Sequence, residues 1–224
     1  MSSLEVHAGV LGNSDGSCLY VVNGNKVITS VVGPIEAKAR QELPQTVSLE
    51  VVVRPVTGLS NSREKLLEEK IRNLLQNIII GFKYPRQTIQ VVVQFLIADG
   101  RPEYTALELN MAINSAFYAL VDAGVAMYKS FVSTVVAVPP EQGSSLIFDP
   151  SMEQIVASKS HHVVTYSVEH DECKIILLES NGLFEMKELK NILDAAKIQC
   201  LTVHEDVQRD VIESKLQQDY IWKS

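Results

Sequence analysis

The sequence predicts an α+β fold in which mixed β-sheets are packed with α-helices, and three observations carry that expectation. The first quarter is a series of short β-branched and aromatic stretches cut by Asn- and Gly-bearing turns. The apolar period then changes to three- and four-residue steps in three separate segments. Further strand-like stretches lie between those segments. The chain has 224 residues, 46% hydrophobic and 21% charged, which is ample apolar material for a shared core.

Taken in order, Gly9 to Leu11, Cys18 to Val22 and Lys26 to Val32 read as strands. They are separated by Asn13-Ser14-Asp15-Gly16 and Asn23-Gly24-Asn25, which is hairpin turn chemistry. Thr46 to Arg54 closes this antiparallel set. From Ser62 to Ile80, Leu67, Ile71, Leu74, Leu75 and Ile78 recur at helical spacing, with Asn61 and Ser62 available as N-caps and Gly81 beyond the end. Thr88 to Ile97 is the most apolar strand and nearly unalternating, so it is expected centrally in a sheet with both faces covered.

Leu107 to Val121 predicts a second helix, ending at Asp122-Ala123-Gly124, where the glycine suits a left-handed cap. Its small residues Ala112, Ser115, Ala116 and Ala119 permit close packing. Four strands follow, at Phe131 to Val138, Ser145 to Phe148, His161 to Val168 and Lys174 to Ser180, with Pro139 to Gly143 as a turn. A long C-terminal helix is expected from about Glu185 to Gln218, on Leu189, Ile192, Leu193, Ala196, Leu201 and Val207.

Composition excludes several function classes. No apolar run approaches the roughly 20 residues of a membrane span, so no membrane partner is expected. The opening Met-Ser-Ser-Leu-Glu-Val-His lacks the basic start and apolar block of a secretory signal, which places the chain inside the cell. Cys18, Cys173 and Cys200 are odd in number and too far apart in sequence for a metal-ligand motif, so they read as reduced, buried thiols.

A net charge of −7 argues against a freestanding nucleic-acid binder. The average hides an asymmetry. Between Arg54 and Arg86 seven basic residues face three acidic ones, a local +4, and the rest of the chain carries −11. One segment therefore attracts a polyanion that most of the chain repels.

Three motifs with catalytic mechanics are missing: Gly-x-Gly-x-x-Gly, the Gly-Lys-Ser/Thr phosphate loop and His-Glu-x-x-His. Gly9, Gly12 and Gly16 have the spacing of turns. His161 and His162 alternate across a strand, which argues against joint metal ligation and predicts one buried or interfacial ring and one exposed. Asp99 and Asp149 fall at strand ends, where both catalytic and turn-forming aspartates occur.

Several segments together resemble a known family. Val32-Gly33-Pro34-Ile35-Glu36-Ala37-Lys38, Arg63-Glu64-Lys65 and Ala119-Leu120-Val121-Asp122-Ala123-Gly124 stand in the order and spacing of the RNase PH superfamily of phosphate-dependent 3′-exoribonucleases. Asp15-Gly16-Ser17 and Leu146-Ile147-Phe148-Asp149-Pro150 agree. The resemblance runs from about His7 to beyond Cys200. The absence of the family's arginine-rich opening makes the chain similar to the ring subunits of the eukaryotic RNA exosome. It implies an RNase PH-like, ribosomal protein S5 domain 2-like fold, with residues 1–224 as a single domain.

The enzymatic members bind phosphate through Gly-Thr-Arg at the start of the second helix, where backbone amides and an arginine suit an anionic nucleophile. Counting back from Ala119 to Ala123 places those positions at Leu107, Glu108 and Leu109, an apolar-acidic-apolar set that offers phosphate nothing. The family's metal-binding aspartates, six residues apart, fall on Glu153 and Lys159, and the second has reversed sign. The resemblance thus implies a subunit with no catalytic residues, no metal and no cofactor.

What the resemblance leaves is scaffold and RNA path. Ring subunits of this type pair as heterodimers within a hexameric ring, under S1- and KH-domain cap subunits, with single-stranded RNA passing through the central channel to a processive 3′–5′ ribonuclease. That implies ribosomal RNA processing and RNA turnover in nucleus, nucleolus and cytoplasm. Arg63 and Lys65 are the candidate backbone contacts, with Arg72 and Arg86 beyond them. Salt bridging of these residues to Glu64, Glu68 and Glu69 is the competing role. The other function class is an autonomous phosphate-dependent exoribonuclease, or another nuclease, with a displaced site around Asp149 and Glu153.

Overall fold

A computed structural model describes residues 4–98, 101, 103–140, 145–169 and 172–218. Asp99 and the turn residues Glu141 to Gly143 lie outside that set. The chain divides into two compact units. One holds residues 3–98 and 111–130, the other residues 99–110 and 131–224.

In the first unit, β1 (Leu4–Ala8), β2 (Gly16–Val22), β3 (Asn25–Glu36), β4 (Ser48–Arg54) and β5 (Gln87–Ile97) form one sheet in the order β1-β2-β3-β5-β4. The β2–β3 hairpin closes on Val22 opposite Asn25. Its two-residue turn, Asn23-Gly24, has φ of 50° and 82°, the doubly left-handed geometry that Asn-Gly adopts at least strain. The first strand is Leu4–Ala8 rather than Gly9–Leu11. At Gly9 the chain leaves the ladder: its N–H donates to the Ser17 carbonyl at 2.9 Å, and the Leu11 N–H to Ser17 Oγ at 2.9 Å.

The expected antiparallel closure by the fourth strand is corrected. β4 lies at the sheet edge and pairs only with β5, in parallel, Val51 beside Val91 and Val53 beside Val93. The helix α1 (Ser62–Ile78) between them makes this a β–α–β crossover, the connection that parallel neighbours require. β5 is an inner strand, yet it does alternate. Ile89, Val91, Val93 and Phe95 are buried, and Gln90, Val92 and Gln94 lie on a half-exposed face. Valine fits either face of a pleat, so an apolar run overstated the burial.

Two helices cover the buried face. α1 buries Leu67, Ile71, Leu74, Leu75 and Ile78, and its Glu68 Oε1 accepts from the β4 Val53 N–H at 3.0 Å. α2 (Ala106–Asp122) is closed by Gly124 at φ 66°. Against the sheet, its Ser115 Oγ is 2.7 Å from the β3 Thr29 Oγ1, and Tyr118 stacks on Tyr20. The small residues of α2 do allow close packing: a Cβ on Gly16 would run into the backbone of Ala119 and Ala123.

In the second unit, β6 (Ser130–Val138), β7 (Ile147–Phe148), β8 (Ser160–Glu169) and β9 (Glu172–Gly182) form a sheet in the order β7-β6-β8-β9. Here β6 and β8 are the strands buried on both faces. α3 (Met152–Ala157) was not anticipated, although Ser151 and Gln154 form its capping box. The C-terminal helix is α4 (Met186–Val203), one π turn at His204–Gln208, and α5 (Arg209–Gln218). Ile192, Ala196 and Cys200 of α4 pack on Val132, Val136, Val164 and Tyr166. In the π turn Gln208 is buried and donates to the Phe131 carbonyl at 2.9 Å.

All three cysteines are free. Burial, with Asp122 and Asp149 nearby, pushes the Cys18 and Cys200 thiols up to about 12, so both stay protonated. Among the described residues, no helix is long and apolar enough to cross a membrane.

Candidate functional site

The basic segment lies in the first unit and takes its shape from α1. Asn61 caps the helix, and its N–H donates to Glu64 Oε2 at 2.7 Å, which buries the Glu64 carboxylate in the first turn. That carboxylate is positioned to take a cation. Arg63 Nη1 stands 3.4 Å from Glu64 Oε1, with the Arg63 side chain only 23% exposed. One turn on, Lys65 Nζ meets Glu68 Oε2 at 2.7 Å, and Arg72 pairs with Glu69. The hydrogen bond from Arg72 holds the Glu69 carboxyl below its ordinary range.

Lys65 and Arg72 border a polar hollow of about 460 Å³, whose wall also includes Glu50, Glu68 and Glu69. Arg86 is separate from these three. It has φ of 60° and pairs through Nε with Glu42 Oε1 at 3.4 Å. All four sequence-derived candidates are therefore engaged by carboxylates: Arg63, Lys65 and Arg72 on one helix, Arg86 on a loop. The three helical partners follow from i, i+1 and i, i+3 spacing, but Glu42 sits too far back in sequence to be foreseen.

The positions matched to catalysis lie in the second unit. Leu107, Glu108 and Leu109 form the first turn of α2. Leu109 is fully buried, with its N–H donating to the Thr105 carbonyl at 2.9 Å, and Glu108 is 7% exposed. A buried carboxylate in a helix first turn uses the positive end of the dipole that a phosphate would need. Glu153 is exposed in the first turn of α3. Lys159, just past α3, reaches both oxygens of Glu188 in α4, at 2.9 and 3.1 Å. Nothing in the local sequence pointed to Glu188 as its partner.

Asp149 has φ of 48°, and its N–H donates to the Val135 carbonyl at 3.1 Å, a turn position beside β6. The two histidines do point to opposite faces of β8, but the expectation that one is exposed is corrected, because both are buried. His161 packs on the Tyr104 ring at 5.7 Å. His162 sits between two hydroxyls, Nδ1 at 2.8 Å from Ser180 Oγ and Nε2 at 3.1 Å from Ser160 Oγ, with Phe184 edge-on. Ser180 lies directly opposite His162 across the β8–β9 ladder, and Phe184 follows just past the end of β9, which explains how the second ring is covered. Among the described residues, no three His, Cys, Asp or Glu side chains are grouped to hold a metal ion.

Comparison with known proteins gives a consistent picture. Residues 1–126 match the model of the 3′ exoribonuclease family, domain 1, and residues 136–199 match domain 2 of the same family. The exosome complex component RRP46 of Saccharomyces cerevisiae is 38% identical, over 92% of this chain and 94% of its own length. The crystal structure of Rrp46 from rice (Oryza sativa) superposes with a TM-score of 0.80 at 22% identity, covering 93% of this chain and 94% of that one. A chain of the Archaeoglobus fulgidus exosome with RNA bound to the active site superposes with a TM-score of 0.71 at 17% identity, covering 91% and 87%.

Proposed function

The chain belongs to the 3′ exoribonuclease family, whose two domain models together span most of it, and we propose that it is a ring subunit of the RNA exosome that does not itself catalyse phosphorolysis. The ring role is supported by identity to an exosome component along nearly the whole of both chains. The fold agrees, being the one shared with the rice and archaeal exosome chains.

The observation that carries the loss of catalysis is the side chains at the two matched positions. The first turn of α2 presents a buried Glu108 between two leucines where a phosphate nucleophile would need amides and an arginine. Lys159 stands where a metal would need a carboxylate, and it is already neutralised by Glu188. Each change acts on a different reactant, so each alone would cost on the order of 10²-fold in rate.

Within the ring we assign the subunit a scaffolding and RNA-guiding part, beneath S1- and KH-domain caps and above a processive ribonuclease. Arg63, Lys65, Arg72 and Arg86 are the contacts proposed for the sugar-phosphate backbone. The ion pairs of Lys65, Arg72 and Arg86 are at or near the surface, where exchanging a carboxylate for a phosphate costs little, whereas Arg63 is held against the buried Glu64 carboxylate. The test is native mass spectrometry of the tagged endogenous protein. RNase PH-like and S1-domain subunits are expected in one complex with it, and recovery of the chain without them would overturn the ring assignment.

A further inference from the structure

The carboxylates that hold the basic side chains of α1 are not equivalent. Glu64 is buried and accepts the Asn61 N–H at 2.7 Å. Glu68 Oε1 accepts the β4 Val53 N–H at 3.0 Å while Oε2 takes Lys65. Glu50, across the hollow, accepts Gln90 Nε2 at 3.0 Å from the neighbouring strand. These three are tied to backbone or sheet. Glu69 is not: its side chain is 51% exposed, and among the described residues its partners are Arg72 and, at 3.3 Å, Asn73 Nδ2, both on its own helix.

Arg72 is correspondingly under-used. Its Nη2 donates to Glu69 Oε2, but its Nε is enclosed and has no acceptor. A guanidinium meets an oxyanion best through two parallel N–H groups, and Glu69 engages Nη2 without Nε. A phosphate that took Nε and Nη2 together would supply the missing acceptor. Arg72 and Glu69 both face the polar hollow of about 460 Å³, so the exchange can take place on its wall. The Arg72 hydrogen bond holds the Glu69 carboxyl below its ordinary range, which keeps the glutamate ionised at neutral pH.

We propose that Glu69 is an internal competitor for the RNA backbone: it occupies Arg72 when no strand is present, yields it to a passing phosphate, and takes it back as the strand moves on. This rests on the reading of Arg72 as an RNA contact, and adds the device that keeps the contact weak. A moving strand needs contacts that exchange quickly, and an exposed pair is weak enough to break at each step. Plain repulsion between Glu69 and RNA is the other effect of the same charge. The two differ in one respect, because repulsion does not need Arg72.

The test is a double-mutant cycle in the reconstituted ring, with a labelled single-stranded oligoadenylate as the probe and binding read by fluorescence anisotropy. Glu69→Gln keeps the side-chain length and a good helix former. It should tighten binding about two- to fivefold at low salt, the range of an exposed ion pair, and the gain should fade as salt is raised. Arg72→Ala should weaken binding, and Glu69→Gln added to it should change nothing further. Both positions are exposed on α1, and circular dichroism verifies that each variant folds. A gain from Glu69→Gln that persists without Arg72 is plain repulsion, and would overturn the competitor role while leaving the RNA contact standing. So would the lack of any gain when Arg72→Ala does weaken binding. Unchanged binding in Arg72→Ala would overturn both the competitor role and the RNA contact.

Discussion

Lys159 and Glu188 form a two-oxygen ion pair, 2.9 and 3.1 Å, between the end of α3 and the start of α4. Glu188 also accepts the Glu185 N–H at 3.0 Å, so one carboxylate both caps α4 and neutralises the lysine. The cap is the larger influence on its acidity and the lysine the second, and both hold the Glu188 carboxyl below the ordinary range. A lysine already paired in this way presents no carboxylate for a divalent metal.

Because the pair is well exposed while the cap is a helix-terminal bond, the two residues differ in weight. Lys159→Ala should leave the urea midpoint nearly unchanged. Glu188→Ala loses the cap as well, and should lower the midpoint further. Equal midpoints for the two variants would show that the cap contributes nothing.

Gly16 lies where β2 meets the end of α2, and an added methyl would collide with the Ala119 carbonyl, the Ala123 nitrogen and the Ala123 Cβ. Most of that obstruction is backbone and can yield only by moving the helix. Gly16→Ala is expected to cost about 2–4 kcal/mol by chemical denaturation. A loss below about 0.5 kcal/mol would mean that α2 shifts freely on the sheet.

Burial first, and then the charge of His161, push the His162 pKa down to about 4. Its folded pKa lies below the unfolded value of about 6.5, so the unfolded state binds the proton more readily. Stability from this site is therefore full above about pH 6.5 and declines as pH falls from there toward 4. Thermal melts from pH 7 to pH 4 should show that decline, and His162→Gln should flatten it. An unchanged slope in the variant would remove His162 from the acid response.

Arg63 is the most enclosed of the proposed RNA contacts, and reversing its charge beside Glu64 should matter most. In the assembled ring, Arg63→Glu should weaken RNA protection in a salt-dependent way while the subunits still assemble. An unaltered footprint would take Arg63 out of the RNA path.

Much of the fold was legible from periodicity. The helices at Ser62 and Ala106 were found to within a few residues, and the Asn23-Gly24 hairpin and Gly124 cap followed from local chemistry. Pairing was less legible, because strand direction depends on a crossover and not on the strand itself, as β4 shows. Burial misled where valine sits equally well inside or half-exposed: β5 alternates, whereas β6 and β8 do not. The positions matched to phosphate and metal binding come from the resemblance, but their partners do not. Glu188 is 29 residues from Lys159, and β4 and α1 lie between Glu42 and Arg86, so no spacing rule connects them. The capping box at Ser151-x-x-Gln154 is a local signal for α3, short enough to be masked by the strands on either side.

We propose that Leu107, Glu108, Leu109, Glu153 and Lys159 leave the chain unable to perform phosphorolysis. The direct measurement incubates the purified single chain with labelled single-stranded RNA, inorganic phosphate and magnesium, and follows nucleoside diphosphates. No phosphate-dependent release above the protein-free control is the predicted result. Release that requires phosphate and is abolished by Glu153→Ala would contradict it.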